Sequence, residues 1–280
     1  MLAGLAACSG CGAAPDDLRD GVLMLPPQLR EVSGLVALDE RTVVCVQDEQ
    51  GALFFVDLLG ERPPRVATFG APGDYEGLAR VGDDYWVLRS DGMLLQVVAQ
   101  EGGYRVAATH RLLLEHREFE GLCFDAPRGA LLILPKDVVG NGKDERDQRE
   151  VFAFEVAAGR LQPTPAVGFR VQGLVDQAER RGIALPTRIT GKGKVRTELK
   201  FRGSEVLAVP GTDELLLLSA VDHLLVRVDR QGQLLGATEL DERMLPQPEG
   251  MTFLPDGRLL VASEGAGGPG RLCVVAWRGT

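Results

Sequence analysis

Five short segments of this chain each put an oxygen-bearing side chain at the same place in an apolar stretch. They are Ser33 in VSGLV, Glu76 in YEGLA, Glu120 in FEGLC, Ser204 in GSEVL and Glu249 in PEGMT. Successive positions lie 43, 44, 84 and 45 residues apart, so the long gap is one period plus an insertion. A fold that gathers equivalent repeat positions would bring three carboxylates and two hydroxyls together. Packed carboxylates repel and raise one another's pKa. A hard cation removes that conflict, and calcium accepts six to eight oxygen ligands. The pattern therefore points to a Ca2+ held by Glu76, Glu120 and Glu249, with Ser33 and Ser204 in the same ring. A second reading stays open: the glutamates pin backbone amides of neighbouring repeats. Gly77, Gly121 and Gly250 suit either role, because glycine tolerates close backbone approach or a positive φ.

The elements that must position these residues repeat with them. Each segment is followed by a turn and an apolar run: Thr42–Val46, Tyr85–Leu88, Ala130–Leu134, Leu215–Leu218 and Arg258–Ala262. A polar cluster and a third apolar segment come next. A repeat of about 40–45 residues with about four strands is the signature of a propeller blade. The spacing predicts an all-β, five-bladed β-propeller with blades at 31–72, 74–114, 118–170, 200–243 and 247–277. A six-bladed ring and a β-sandwich are the alternatives; a sandwich does not require the recurring EGL signature. Fourth strands are expected at pieces such as Arg65–Phe69, Arg105–His110 and Leu234–Glu239. The last repeat ends after three strands, and Gly21–Leu25 is placed to supply the missing outer one and close the ring, leaving no naked edge. Between the third and fourth repeats, 171–199 reads as an insertion: a helix over Val171–Leu185 ended by Pro186, then a basic loop or hairpin. Residues 138–149 read as a charged, solvated excursion.

In a propeller the first strand of each blade lines the central channel, so the five repeat positions form a ring. A second layer falls just after the second apolar runs: Asp48, Arg89, Asp91, Lys136, Asp222 and Glu264, with Glu49 and Asp137 beside them. These would decorate one mouth of the channel, where loops carry function, and their mixed charges suit a polar or charged ligand. Arg89 stands out because RSDG puts it at a strand end. Catalytic signals are thin. The histidines are His110, His116 and His223, and neither HExxH nor GxSxG occurs. His223, next to Asp222, is the one weak candidate for a general base.

Composition limits the classes of function. A net charge of −9 and a pI near 5.0 exclude the basic face that nucleic-acid binding needs. Hydrophobic residues at 45% and charged residues at 25% exclude a disordered chain. The 35 Gly and 16 Pro fit many turns between short strands. No stretch reaches the ~20 apolar residues of a membrane-spanning helix. At the N-terminus, Leu5-Ala6-Ala7-Cys8 resembles a lipoprotein lipobox, although nothing basic precedes it and the apolar part is short. Residues 1–8 are read as a truncated lipoprotein signal ending at a lipidated Cys8, 9–20 as a tether and 21–280 as one propeller domain. Ser9 favours the periplasmic side of the outer membrane; secretion is the alternative. Cys45, Cys123 and Cys273 sit in apolar runs and are expected as small buried hydrophobes.

Several strings carry a wider resemblance: REVSGL at 30–35, GDYEGLA at 73–79, LRSDG at 88–92, EFEGLCFD at 118–125, LLLLSAVDHLLVRVDRQG at 215–232 and LPQPEGMTFLPDGRLLVASEGAGGPGRL at 245–272. Together they resemble the bacterial SdiA-regulated family, which includes the YjiK-like proteins, over roughly 28–277. The resemblance implies a five-bladed propeller distantly related to NHL-repeat proteins, a calcium site, export to the envelope and no established activity. The fourth repeat departs from it, with Ser204-Glu205-Val206 where the others have Glu-Gly or Ser-Gly, and the insertion at 171–199 is unusually polar. The functional expectation is an envelope-anchored, monomeric, calcium-binding propeller that takes a small ligand or an envelope protein. The alternative is a calcium-dependent hydrolase, lactonase- or phosphoesterase-like, acting at the channel mouth.

Overall fold

The apolar runs of this chain do not alternate with polar residues, and the architecture shows why. A computed structural model describes residues 21–114, 118–136, 142–189, 193 and 195–277. Five antiparallel sheets stand around one axis as a five-bladed β-propeller, as the repeat predicts. Blade 1 contains Val32–Ala37, Thr42–Gln47, Ala52–Asp57 and Arg65–Thr68, in that order from the axis outward. Blade 2 contains Tyr75–Val81, Asp84–Arg89, Met93–Gln100 and Gly103–Arg111. Blade 4 contains Gly203–Ala208, Leu215–Ser219, Leu224–Val228 and Leu234–Glu239. The innermost strands touch one another in sequence, and the fifth touches the first.

Successive side chains of a strand point to opposite faces, and here both faces of a blade are covered by neighbours. Val43 and Cys45 enter the core between blades 5 and 1, while Val44 and Val46 enter the core between blades 1 and 2. Leu131 and Ile133 pack towards blade 2, and Leu132 and Leu134 towards blade 4. Leu215 and Leu217 face blade 3, and Leu216 and Leu218 face blade 5. A second strand buried on both sides needs continuous apolar sequence, and the runs VVCV, LLIL and LLLL are the result. Cys45, Cys123 and Cys273 are free and buried in these cores, as expected, and burial pushes the Cys45 thiol up to about 12.

Closure also follows the sequence. Blade 5 contains Gln247–Phe253, Leu259–Glu264 and Arg271–Val275, and its outer strand is Val22–Met24 from the other end of the chain. That strand pairs antiparallel with Arg271–Val275, with Val22 opposite Cys273.

Blade 3 is irregular. Phe119–Asp125 and Ala130–Pro135 are followed by a long third strand, Gln148–Glu155. Its end pairs with Arg160–Leu161 and its start with Val167–Arg170. The excursion expected over 138–149 is thus shorter. Residues 137–141, including Asp137, lie outside the described part, Lys143–Asp147 form a helical turn, and Arg149 belongs to the strand. Arg149 is buried because its guanidinium donates to the carbonyls of Lys200 and Phe201, both at 2.6 Å, tying down the return from the insertion. The inserted helix spans Val171–Arg181 and buries Leu174, Val175 and Ala178, the face predicted. It ends at Gly182, four residues before Pro186. Gly182 has φ +67°, and its N–H bonds back to Ala178 and Glu179, so a left-handed glycine stops the helix first. Thr187–Ile189 and Val195–Thr197 form the hairpin that follows. Blades 3 and 4 are further joined by an ion pair of Arg230 with Asp125 at 2.8 Å.

The narrowest point of the ring is backbone against backbone. A Cβ on Gly250 would lie 2.2 Å from the Ser33 carbonyl oxygen, and one on Gly77 would lie 2.7 Å from that of Glu120. Glycine here is a requirement of inter-blade distance. Gly250→Ala is therefore expected to cost roughly 1–3 kcal/mol by overpacking. Gly103→Ala, where a Cβ meets nothing within 4 Å, should stay within about 0.5 kcal/mol. Thermal unfolding of the two variants checks this; equal melting temperatures would contradict it.

Candidate functional site

The ring residues occupy one structural position: a bulge in every inner strand. Tyr75 pairs with Arg89 and Gly77 with Leu88, which leaves Glu76 as the extra residue. The same skip occurs at Glu120 between Phe119 and Gly121, at Ser204 between Gly203 and Glu205, and at Glu249 between Pro248 and Gly250. In blade 1 it falls between Val32 and Leu35, at Ser33-Gly34. A bulge leaves a residue outside the ladder and re-aims its side chain. Repeated five times at one level, it gives the channel a collar of residues whose side chains are free of the sheet pattern.

Three of the five are carboxyls, and they feel one another. Burial pushes Glu76 up to about 9, with the Glu120 and Asp74 carboxylates adding to it. Burial, then Glu120 and Glu264, push Glu249 up to about 8. Glu120 is also raised by burial, and it makes the one direct ionic contact of the group among the described residues: Lys136 Nζ lies 2.7 Å from its Oε1. Lys136 follows Ala130–Pro135, and its backbone N–H donates to the Glu118 carbonyl at 3.1 Å, which fixes where the side chain starts. Burial alone would lower the Lys136 pKa. Glu120 and, further off, Glu249 and Glu76 hold its ammonium above the ordinary value.

The two serines play a smaller part. The Ser204 hydroxyl accepts the Ala220 N–H at 3.1 Å, and the Ser33 hydroxyl donates to the Glu31 carbonyl at 3.5 Å. A fourth buried carboxyl, Glu205, was missed by the repeat comparison as a site residue. It is 1% exposed, and its Oε1 accepts the N–H groups of Leu122 at 2.8 Å and Val206 at 2.9 Å. Burial raises it well above the usual range, with Glu120 and Glu249 contributing. Glu205 is thus the residue that pins adjacent blades, the alternative considered for the ring glutamates. The signal was present: Glu205 stands where the other four repeats have glycine.

The second layer divides into separate groups. Burial, then Asp48 and Glu31, raise Glu264 to about 7; burial, then Glu31, Glu49 and Asp74, raise Asp48 to about 6. The Asp48 Oδ1 is buried without a hydrogen-bond partner among the described residues. Asp48 and Glu264 therefore extend the acidic field of the ring to its rim. Arg89 and Asp91 are paired with each other at 3.0 Å over blade 2. Asp222 is buried, and its oxygens accept the Lys200 and Phe201 N–H groups and the Ser219 hydroxyl. That engagement fixes the entry to blade 4.

Lys136, Ser204, His223 and Glu249 meet in one cavity of about 320 Å³, opened between blades 4 and 5, with Arg202 and Gln247 completing its wall. Arg202 is exposed and makes no ion pair among the described residues. His223 adopts φ +46°, and its Nε2 lies 3.0 Å from the Pro246 carbonyl oxygen. Cys8 and His116 lie outside the described residues. Among the described residues, no three His, Cys, Asp or Glu side chains are gathered closely enough to hold a metal ion.

Comparison with known proteins supports the fold. Residues 198–267 match the model of the SdiA-regulated family, over blade 4 and the first part of blade 5. No curated protein matches the chain. Among solved structures, a glutaminyl cyclase from Myxococcus xanthus is similar at 15% identity and a TM-score of 0.57, covering 91% of this chain and 95% of its own. The structure of U3-55K is similar at 12% identity and a TM-score of 0.51, covering 92% and 99%. Likeness at this identity shows a shared propeller fold and no more.

The raised carboxyls make stability depend on pH. Glutamates titrate near 4.3 in an unfolded chain, whereas Glu76 and Glu249 titrate near 9 and 8 in the fold. Between those values the native state holds more protons than the unfolded state, so the contribution is fully present below about pH 4.5 and is lost as pH rises towards 9. The melting temperature is expected to fall by several degrees between pH 5 and pH 9, and Glu76→Gln to flatten that slope. Scanning calorimetry across this range checks it; a melting temperature that rises with pH would contradict it.

Proposed function

We propose that this SdiA-regulated propeller is a recognition protein rather than a catalyst, and that it takes a small anionic ligand at the channel mouth between blades 4 and 5. The observation that carries the reading is the cavity itself. It is open to solvent, and on its wall stands an exposed Arg202 with no ion pair among the described residues. A guanidinium without a carboxylate partner is a ready fork for a carboxylate or a phosphate. Ser204 and Gln247 add polar groups of the kind that fix orientation in such sites. Arg89, chosen from the sequence, is the weaker anion contact because Asp91 already engages it.

The hydrolase reading draws on one feature, the presence of His223 in the same cavity. A general base needs an orienting partner and a reachable substrate proton. The Asp222 carboxylate beside it in sequence is taken up by backbone amides and Ser219, so it does not serve His223 as that partner. A positive charge on the axis is part of the proposal in either reading, since carboxyls crowd there. Lipid anchoring through Cys8 on the periplasmic side of the outer membrane belongs to the same proposal and rests on Leu5-Ala6-Ala7-Cys8.

Three experiments test the proposal. A thermal-shift panel of small carboxylates and phosphate monoesters should stabilise the purified propeller, and Arg202→Ala should weaken the best of them at least tenfold. Ester, lactone and phosphoester panels should show no turnover; turnover abolished by His223→Ala would instead select the hydrolase. In the host, labelling with a fatty-acid probe should mark the full-length protein and be lost in Cys8→Ser. Equal labelling of that variant would remove the anchor from the account.

A further inference from the structure

The family resemblance puts a metal on the axis, yet the axis already holds a cation. Lys136 Nζ lies 2.7 Å from Glu120 Oε1, in the ring that Glu76 and Glu249 complete from two other blades. Those are the carboxyls the sequence nominates as calcium ligands. The residues as arranged do not gather into a metal site, since no three candidate ligands among the described residues converge on one point. We propose that in this chain Lys136 is the resident cation of the channel collar and stands in the place of a metal ion. Lys136 also lines the neighbouring cavity, where Arg202 is left as the anion contact.

The physics favours an internal cation. Nearly buried carboxyls repel, and each is costly to ionise unless a positive charge is close. An ammonium tethered by its own backbone neutralises one of them without a binding step, and its three donors need no coordination geometry. Lys136 is well placed for this, because it directly follows Ala130–Pro135, the strand paired with Glu120's own strand, and its N–H is fixed to Glu118. Among the described residues, the other groups that bear on Glu120 are acidic: Glu118, Asp74, Glu76, Glu249 and Glu205. Glu264 contributes more negative charge from the rim. Each raises the need for the lysine and none competes with the carboxylates for it.

The test uses calcium chloride itself as probe, on the full propeller. The wild-type melting temperature should be the same in millimolar Ca2+ and in chelator, and calorimetric titration should show no tight site. Lys136→Met removes the ammonium and keeps the chain length. It should melt lower than wild type in chelator, and it should bind Ca2+ at least tenfold more tightly than wild type. Combining Lys136→Met with Glu120→Gln should restore stability in chelator and abolish the acquired Ca2+ binding. A wild-type protein stabilised by Ca2+ overturns the proposal, and that arm stands even if Lys136→Met fails to fold. A folded Lys136→Met that binds Ca2+ no better than wild type overturns it equally.

Discussion

The structure turns on the close approach of five inner strands around one axis. At Gly250 and Gly77 the approach is so tight that a methyl group would collide with the neighbouring blade's carbonyl oxygen. The bulge beside each of these glycines follows from the same crowding, because the strand must release one residue from its ladder while keeping its backbone against the next blade. The released residue is Ser or Glu, so packing the ring at this distance also crowds carboxyls, buried at Glu120 and half-buried at Glu76 and Glu249. Stability and site chemistry are therefore consequences of one constraint. The blades can close only if the charge they enclose is settled.

It is settled by several means. Glu205 gives one oxygen to two backbone amides and bridges blades 3 and 4. Glu120 takes the Lys136 ammonium. Glu76 and Glu249 keep protons into the neutral range and above. At the rim, Asp48 and Glu264 remain as an acidic border, while Arg202 and Lys136 face the cavity between blades 4 and 5. The mouth thus carries both signs of charge, with Glu249 beside Arg202 and Lys136 in the cavity wall.

Much of this was legible in the sequence, for reasons that differ from residue to residue. The period of the EGL signature showed the blades because each blade solves the same packing problem with the same residues. The uninterrupted run Leu215–Leu218 announced a strand covered on both faces, and Gly21–Leu25 announced ring closure because the last repeat lacked a strand. What escaped were features set by neighbours far apart in the chain. Glu205 reads as an imperfect repeat, yet its partner amide is at Leu122, on a different blade. Arg149 reads as part of a solvated loop, and it is buried by carbonyls at Lys200 and Phe201. Lys136 reads as one mouth residue among several, and only the fold brings its ammonium to Glu120. Gly182 ended the inserted helix before Pro186, a local signal present in the sequence and overlooked beside the stronger helix breaker.

If Lys136 is the cation of the collar, the positive charge on the channel axis belongs to the protein. The most direct measurement is a crystal structure grown in calcium, with anomalous data collected at long wavelength. The expected result is no anomalous peak on the axis and the Lys136 ammonium in contact with Glu120. A peak coordinated by Glu76, Glu120 and Glu249, with Lys136 turned away, would contradict it.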